Sequence, residues 1–159
     1  MNWPEPVERV AAVLRGAGVD SRIEEFAAGT PTARDAARAI GCDVSQIVKS
    51  IVLVADGAYV LALVPGDRRA DEAAVARELG ATDVRSAKAH EVVAATGFPP
   101  GGVAPFPHVA VSQVLLERSL LAHKTVWIGA GTESHMAALP PLDLARITAA
   151  RTFDLEGGG

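Results

Sequence analysis

Two apolar runs, residues 47–55 and 58–64, are separated only by the dipeptide Asp56-Gly57. Both runs are rich in Val, Ile and Leu. Asp-Gly suits a two-residue type I′ turn, whose central residues both take positive φ, and so predicts a tight antiparallel hairpin. Neither strand alternates polar with apolar residues. Both faces therefore need cover, and the hairpin is expected at the centre of the fold.

The remaining pattern arranges itself around that hairpin. Val7, Val10, Ala11 and Leu14 recur at helical spacing, and Gly16 and Gly18 stop the run. Residues 22–26 read as a short strand. Thr32 is placed to cap a helix that runs to Ile40, with Asp35 in its first turn and Gly41 at its end. Helices are expected over 71–79 and 87–95, closed by Gly80 and Gly97, then a strand over 109–112 and a helix over 115–122. Strands over 125–128 and 136–139 follow, and a last helix over 141–148 starts with proline. A frayed tail is expected from 155 to 159, ending in Gly157, Gly158 and Gly159. The chain's 159 residues suit one domain. Interspersed helices and strands without a strict βαβ rhythm indicate a single α/β or α+β domain.

Composition removes several classes of function. Hydrophobic residues at 49% and charged residues at 21% exclude disordered, collagen-like and coiled-coil chains. Aromatics at 4% argue against a nucleic-acid platform built on several stacking rings. A net charge of -4 opposes a broad basic face while leaving room for one local anion pocket. One cysteine, Cys42, allows no internal disulfide and no multi-thiolate zinc site. No window reaches the roughly 18 apolar residues of a membrane span. The first ten residues carry Glu5 and Glu8 and do not read as a signal peptide, so a cytoplasmic location is expected.

Lys49 is the most informative single position. Strand alternation puts it on one face with Ile47, Ile51 and Leu53, where a buried ammonium is costly unless an anion meets it. It either snorkels to water from the strand end or receives a phosphate or polarised oxygen. The loop from Gly97 to Pro105 holds paired glycines, Gly101 and Gly102, between prolines. Such a loop is either a rigid connector or a set of pre-positioned amides for a carbonyl oxygen that gains charge. The segment 129–135 contains Gly129, Gly131, Thr132 and His135 but lacks the spacing of a dinucleotide or Walker loop. His90, His108, His123 and His135 show no metal-ligand spacing. Ser112 and Ser119 lack a nucleophile elbow, and Cys42 lacks an activating neighbour, so no covalent nucleophile with its base is evident.

These segments together resemble a known family. Ile47-Val48-Lys49-Ser50-Ile51-Val52 resembles the lysine strand of the YbaK/prolyl-tRNA-synthetase-associated domain. Residues 32–37 are similar to that family's preceding helix start, and Gly101 and Pro105 occupy its Gly-x-x-x-Pro positions. Residues 117–121 and 126–131 resemble its closing helix and strand, so the likeness runs from about Arg22 to Thr148. The resemblance implies one compact domain around a mixed, partly barrel-like sheet surrounded by helices. It also implies hydrolysis of the ester between a wrong amino acid and the 3′ CCA end of tRNA, by a freestanding protein without cofactor or metal. Under it, Lys49 would hold a phosphate or nearby oxygen of the terminal adenosine, Gly101 and Gly102 would face the ester carbonyl, and His135 would orient the substrate. Ser50, Thr30, Phe98, Pro105, Gly131 and Thr132 would line the substrate site, and the tRNA's ribose hydroxyl would align the attacking water. An aminoacyl-tRNA synthetase or an elongation factor is an implied partner. The same resemblance accommodates a catalytically silent module that docks on such a partner.

Overall fold

The computed structural model describes residues 3–155. The elements are α1 (Glu5–Gly16), β1 (Arg22–Glu25), α2 (Ala33–Ile40), β2 (Ile47–Ala55), β3 (Ala58–Pro65), α3 (Glu72–Leu79), β4 (Val84–Ser86), α4 (Ala89–Thr96), β5 (Gln113–Glu117), β6 (Val126–Gly129), β7 (His135–Leu139), α5 (Pro141–Thr148) and β8 (Arg151–Phe153). They form one α+β domain on a mixed sheet of order β1-β7-β6-β2-β3-β5-β8, with β4 paired to β2. Residues 156–159 of the expected tail lie outside the described residues, whereas Leu155 is buried against the core.

The β2–β3 hairpin sits at the middle of this sheet, antiparallel from Ala55↔Ala58 to Val48↔Pro65. Asp56 and Gly57 take φ values of 48° and 85°, the positive pair that the turn requires. Its outer neighbours run parallel to it, β6 beside β2 and β5 beside β3. Both hairpin faces are apolar because both are covered. Val48, Val52, Leu61 and Leu63 pack with Val10 and Leu14 of α1 and Leu144 of α5. On the reverse face, Leu53, Ala62 and Val64 meet Ala74 and Val75 of α3, while Ile47 meets Ala36 and Ala37 of α2. Alternate residues of β5, β6 and β7 join the first cluster, so the sheet curls around one main core.

Two expectations need correction. Residues 109–112 form no strand: the Val109 and Ala110 N–H groups both donate to the Ala95 carbonyl, and Ser112 N–H donates to Tyr59. Residues 115–122 are not a helix. Gln113–Glu117 is strand β5, buried on both faces between β3 and β8, and the Glu117 carboxylate then accepts the Ser119 N–H and turns the chain into a 3-10 segment, Arg118–Ala122. The glycine–proline loop after α4 is more than a connector, because Phe98, Ala104 and Phe106 enter the main core. Among the described residues, no helix is long and apolar enough to cross a membrane.

Candidate functional site

A cavity of ≈ 510 Å³ opens where the start of α2, the start of β2 and the two glycine loops converge. It is lined by β2 from Ile47 to Ile51, by Thr30, Thr32 and Arg34, and by Gly101, Val103, Gly129 and Thr132.

Lys49 reaches it because of a gap in the helical cover. Its neighbours on the same strand face diverge, Ile47 packing under α2 and Ile51 under α3. Between them Lys49 is half-buried, and its Nζ donates to the Arg68 carbonyl. Burial pushes its ammonium below the usual lysine range; the Asp67 carboxylate opposes that shift and the Arg69 guanidinium adds to it. Ser50, next along β2, also lines the cavity, and its buried Oγ has no hydrogen-bond partner among the described residues. Leaving a buried hydroxyl unpaired costs about 1–3 kcal/mol, which a ligand in the cavity could relieve.

The first turn of α2 forms another part of the lining. Thr32 caps it by accepting the Asp35 N–H at 3.0 Å. That start point directs Ala33 and Arg34 to the cavity. Arg34 and Lys49 are the charged residues among its described lining. The Glu133 carboxylate stands against Gly101, with Oε1 3.2 Å from where a Cβ would be, and the Asp67 carboxylate acts on Lys49.

The two glycine loops lie against each other without room for side chains. A Cβ on Gly129 would stand 2.8 Å from the Val103 carbonyl oxygen, and one on Gly102 would stand 3.0 Å from that of Gly131. The second loop is tied down by the Glu133 carbonyl, which accepts from Thr30 N–H at 2.8 Å and Thr30 Oγ1 at 2.9 Å.

Of the residues anticipated from sequence, the cavity gathers Lys49, Ser50, Thr30, Gly101 and Thr132. It does not gather the others. Gly102 is buried and its N–H closes a turn onto the Pro99 carbonyl at 3.0 Å, so Gly101 is the member of the pair that lines the cavity. Phe98 is fully buried in the core beneath the Arg9 guanidinium, which lies 4.5 Å from its ring centre. Pro105 is buried, and Gly131 packs on the Pro6 backbone, 2.8 Å from where a Cβ would stand. His135 is 4% exposed and points to the opposite face of β7 from Met136, which lines the cavity. It meets the site through Thr132, whose Oγ1 lies 2.5 Å from His135 Nδ1.

Arg34, Gly66 and Met136 also line the cavity and were not anticipated there. The Pro65-Gly66 turn dipeptide was the available signal for Gly66, whose Cβ would lie 2.6 Å from the Val44 carbonyl oxygen. Among the described residues, no three His, Cys, Asp or Glu side chains are grouped to hold a metal ion. The lining thus offers two cations, a glycine-edged wall and several hydroxyls. This set suits binding an anionic ligand and polarising a carbonyl better than attack by a protein nucleophile.

Residues 27–147 match the model of the aminoacyl-tRNA editing domain. A proline–tRNA ligase of Citrifermentans bemidjiense is 36% identical over 92 residues, covering 58% of this chain and 16% of that protein. The chain thus spans about a sixth of the ligases it matches. The uncharacterised protein YwhH of Bacillus subtilis is 28% identical over 135 residues, covering 84% of this chain and 85% of YwhH. A crystal structure of a candidate trans-editing enzyme for prolyl-tRNA synthetase superposes with a TM-score of 0.90 at 35% identity, covering 99% of this chain and 100% of that one. The match over 27–147, on a fold that brings the lysine strand and both glycine loops to one cavity, shows that the chain belongs to the aminoacyl-tRNA editing domain family.

Proposed function

We propose that this protein hydrolyses the ester between a wrongly attached amino acid and the 3′ end of tRNA, acting in trans. The observation that carries this reading is the cavity whose lining brings the cations Lys49 and Arg34 together with Gly101. Family membership and the likeness to a candidate trans-editing enzyme add to it.

An aminoacyl ester is already activated, so water suffices as nucleophile. The Lys49 ammonium, with Arg34 beside the cavity, holds the phosphate of the terminal adenosine or an oxygen near it. The Gly101 amide faces the ester carbonyl and stabilises the charge that its oxygen gains; losing such a donor typically costs about 3 kcal/mol of barrier. Ser50 and Thr132 supply hydrogen bonds to the aminoacyl end. The substrate's own ribose hydroxyl aligns the water. Water oxygen bonds to the carbonyl carbon, the bond from that carbon to the ribose oxygen breaks, a proton from the water passes to the departing ribose oxygen, and a free amino acid and tRNA leave. Positioning and charge stabilisation then supply most of the rate. The acidic surface limits contacts with the tRNA body and centres recognition on the CCA end. A synthetase or elongation factor is the partner that would deliver the substrate in the cytoplasm.

The test is release of labelled amino acid from tRNA charged with Ala, Ser, Thr or Cys. Turnover on at least one, lost in a folded Lys49→Ala variant, is the expected result. Silence across the panel, together with stable capture of a synthetase, would replace the enzyme by a binding module.

A further inference from the structure

We infer that Thr132 is a substrate-contacting hydroxyl of this site, and that His135 and Glu25 act through it, as positioning residues that hold it as a hydrogen-bond acceptor. The inference rests on the editing reading and concerns how the aminoacyl end is gripped.

Glu25 of β1, His135 at the start of β7 and Thr132 three residues before it form a chain of contacts that ends at a residue lining the cavity. His135 opens β7 and is the register partner of Glu25 in β1, so the two side chains share a face. The Glu25 carboxylate lies 3.7 Å from His135 Nε2. The Trp3 ring stands edge-on to the imidazole, with centroids 5.7 Å apart, and the histidine is 4% exposed. On its other side, Nδ1 is 2.5 Å from Thr132 Oγ1, and Thr132 lines the cavity.

Glu25 is too far from Nε2 for a direct hydrogen bond, but its charge sets the direction of the one between His135 and Thr132. A carboxylate beside Nε2 favours the tautomer that carries its proton there. Nδ1 is then a bare acceptor, and the Thr132 hydroxyl donates to it. The Ser134 N–H meanwhile donates to Thr132 Oγ1 at 3.2 Å. Ser134 Oγ is a weaker competitor, 3.5 Å from Nδ1. A hydroxyl has one proton and two lone pairs. With the proton committed to His135 and one lone pair to the Ser134 N–H, the other lone pair of Thr132 is left with only the long 3.5 Å contact to Ser134 Oγ, which a substrate donor can displace. It therefore takes a donor from the substrate, either the α-ammonium of the amino acid or a ribose hydroxyl. A histidine aimed away from the cavity thereby sets the hydrogen-bonding polarity of a residue that lines it.

A double-mutant cycle on deacylation tests this, using Thr132→Val, His135→Leu and the pair, with Thr132→Ser and His135→Asn as conservative variants. Melting temperature and circular dichroism are measured for each protein. Thr132→Val is expected to lower kcat about tenfold or more, the scale of one lost charge-assisted hydrogen bond, while Thr132→Ser stays within about threefold of wild type. His135→Leu should cost about as much as Thr132→Val on its own and little further in the Thr132→Val background, because the two act as a unit. His135→Asn, whose amide oxygen stands near the position of Nδ1, should retain most of the activity. Repeating the Thr132→Val comparison on N-acetylated aminoacyl-tRNA identifies the donor: a penalty that disappears assigns the α-ammonium, and one that persists assigns the ribose hydroxyl. Equal losses from His135→Leu in both backgrounds overturn the inference. Should His135→Leu not fold, a Thr132→Val variant with wild-type kcat overturns it as well. A wild-type protein silent on every mischarged tRNA overturns the editing reading and this inference together, whereas an active wild type with additive losses removes this inference alone.

Discussion

Gly129 approaches Val103 so closely that a Cβ on the glycine would stand 2.8 Å from the Val103 carbonyl oxygen. Both residues line the cavity, and each belongs to a different glycine-bearing segment. The site thus depends on backbone meeting backbone. A Gly129→Ala substitution must push the Gly101 segment away from β6. Overpacking of this kind costs about 1–3 kcal/mol. The expected outcome is a lower melting temperature with a steeper loss of deacylation than of stability, because Gly101 moves relative to Lys49. Thermal melts and kcat/KM measured on the same preparation check this. A variant with normal turnover would show that the contact between these segments is not needed for catalysis.

Lys49 predicts a pH-dependent difference between the wild type and a Lys49→Met variant. Its ammonium is held below the ordinary lysine value, chiefly by burial. Well below the native-state value, both the folded and unfolded chains keep the proton, and the full burial penalty applies. As pH rises between the depressed native value and the ordinary one of about 10.4, the folded chain releases its proton first. The unfolded chain then binds more protons, so wild-type stability rises with pH relative to the variant. The change should be small, since Lys49 is only half-buried and water screens it. The measurement is the difference in melting temperature at pH 7 and pH 10, expected to shift in favour of the wild type at the higher pH. Deacylation by the variant should be lost at both.

Phe98 separates a core role from a substrate role. It is fully buried in the main core, and the Arg9 guanidinium of α1 covers its ring. A Phe98→Ala change should cost about 3–5 kcal/mol, the usual range for an aromatic cavity. The milder Phe98→Leu should lower the melting temperature and leave KM for mischarged tRNA unchanged. A raised KM in the folded Leu variant would return Phe98 to the substrate site.

What could be read from sequence follows the range over which each signal acts. Asp56-Gly57 lies between its own strands, so the hairpin and its central place were legible from local pattern alone. Lys49 was legible because a charge among Ile47, Ile51 and Leu53 contradicts its surroundings. β5 was not, because Val114 and Leu116 enter one cluster while Leu115 enters another. A strand buried on both faces has no period of two to detect. Phe98 looked like part of a ligand loop because its cover comes from Arg9, far away in the chain. The sequence marks His135 as a functional candidate but not the face it takes. That face depends on pairing with Glu25, and the pairing turns Met136 rather than His135 toward the cavity.

Ser50 predicts opposite changes in stability and activity. Its Oγ is buried, has no hydrogen-bond partner among the described residues, and belongs to a residue that lines the cavity. An unpaired buried hydroxyl is a cost to the folded state, typically about 1–3 kcal/mol, and alanine removes it with little change of shape. Ser50→Ala should therefore melt at an equal or higher temperature than the wild type. If the aminoacyl end supplies the missing partner, the same substitution removes a hydrogen bond made only with substrate bound. KM or kcat/KM for the preferred mischarged tRNA should then worsen by about tenfold, the scale of one such bond. Melting curves and deacylation kinetics on Ser50→Ala, with Ser50→Thr to restore the hydroxyl, measure both effects. A stabilised variant with unchanged kinetics on every substrate would mean that the hydroxyl stays unpaired in the complex too, and Ser50 would leave the site.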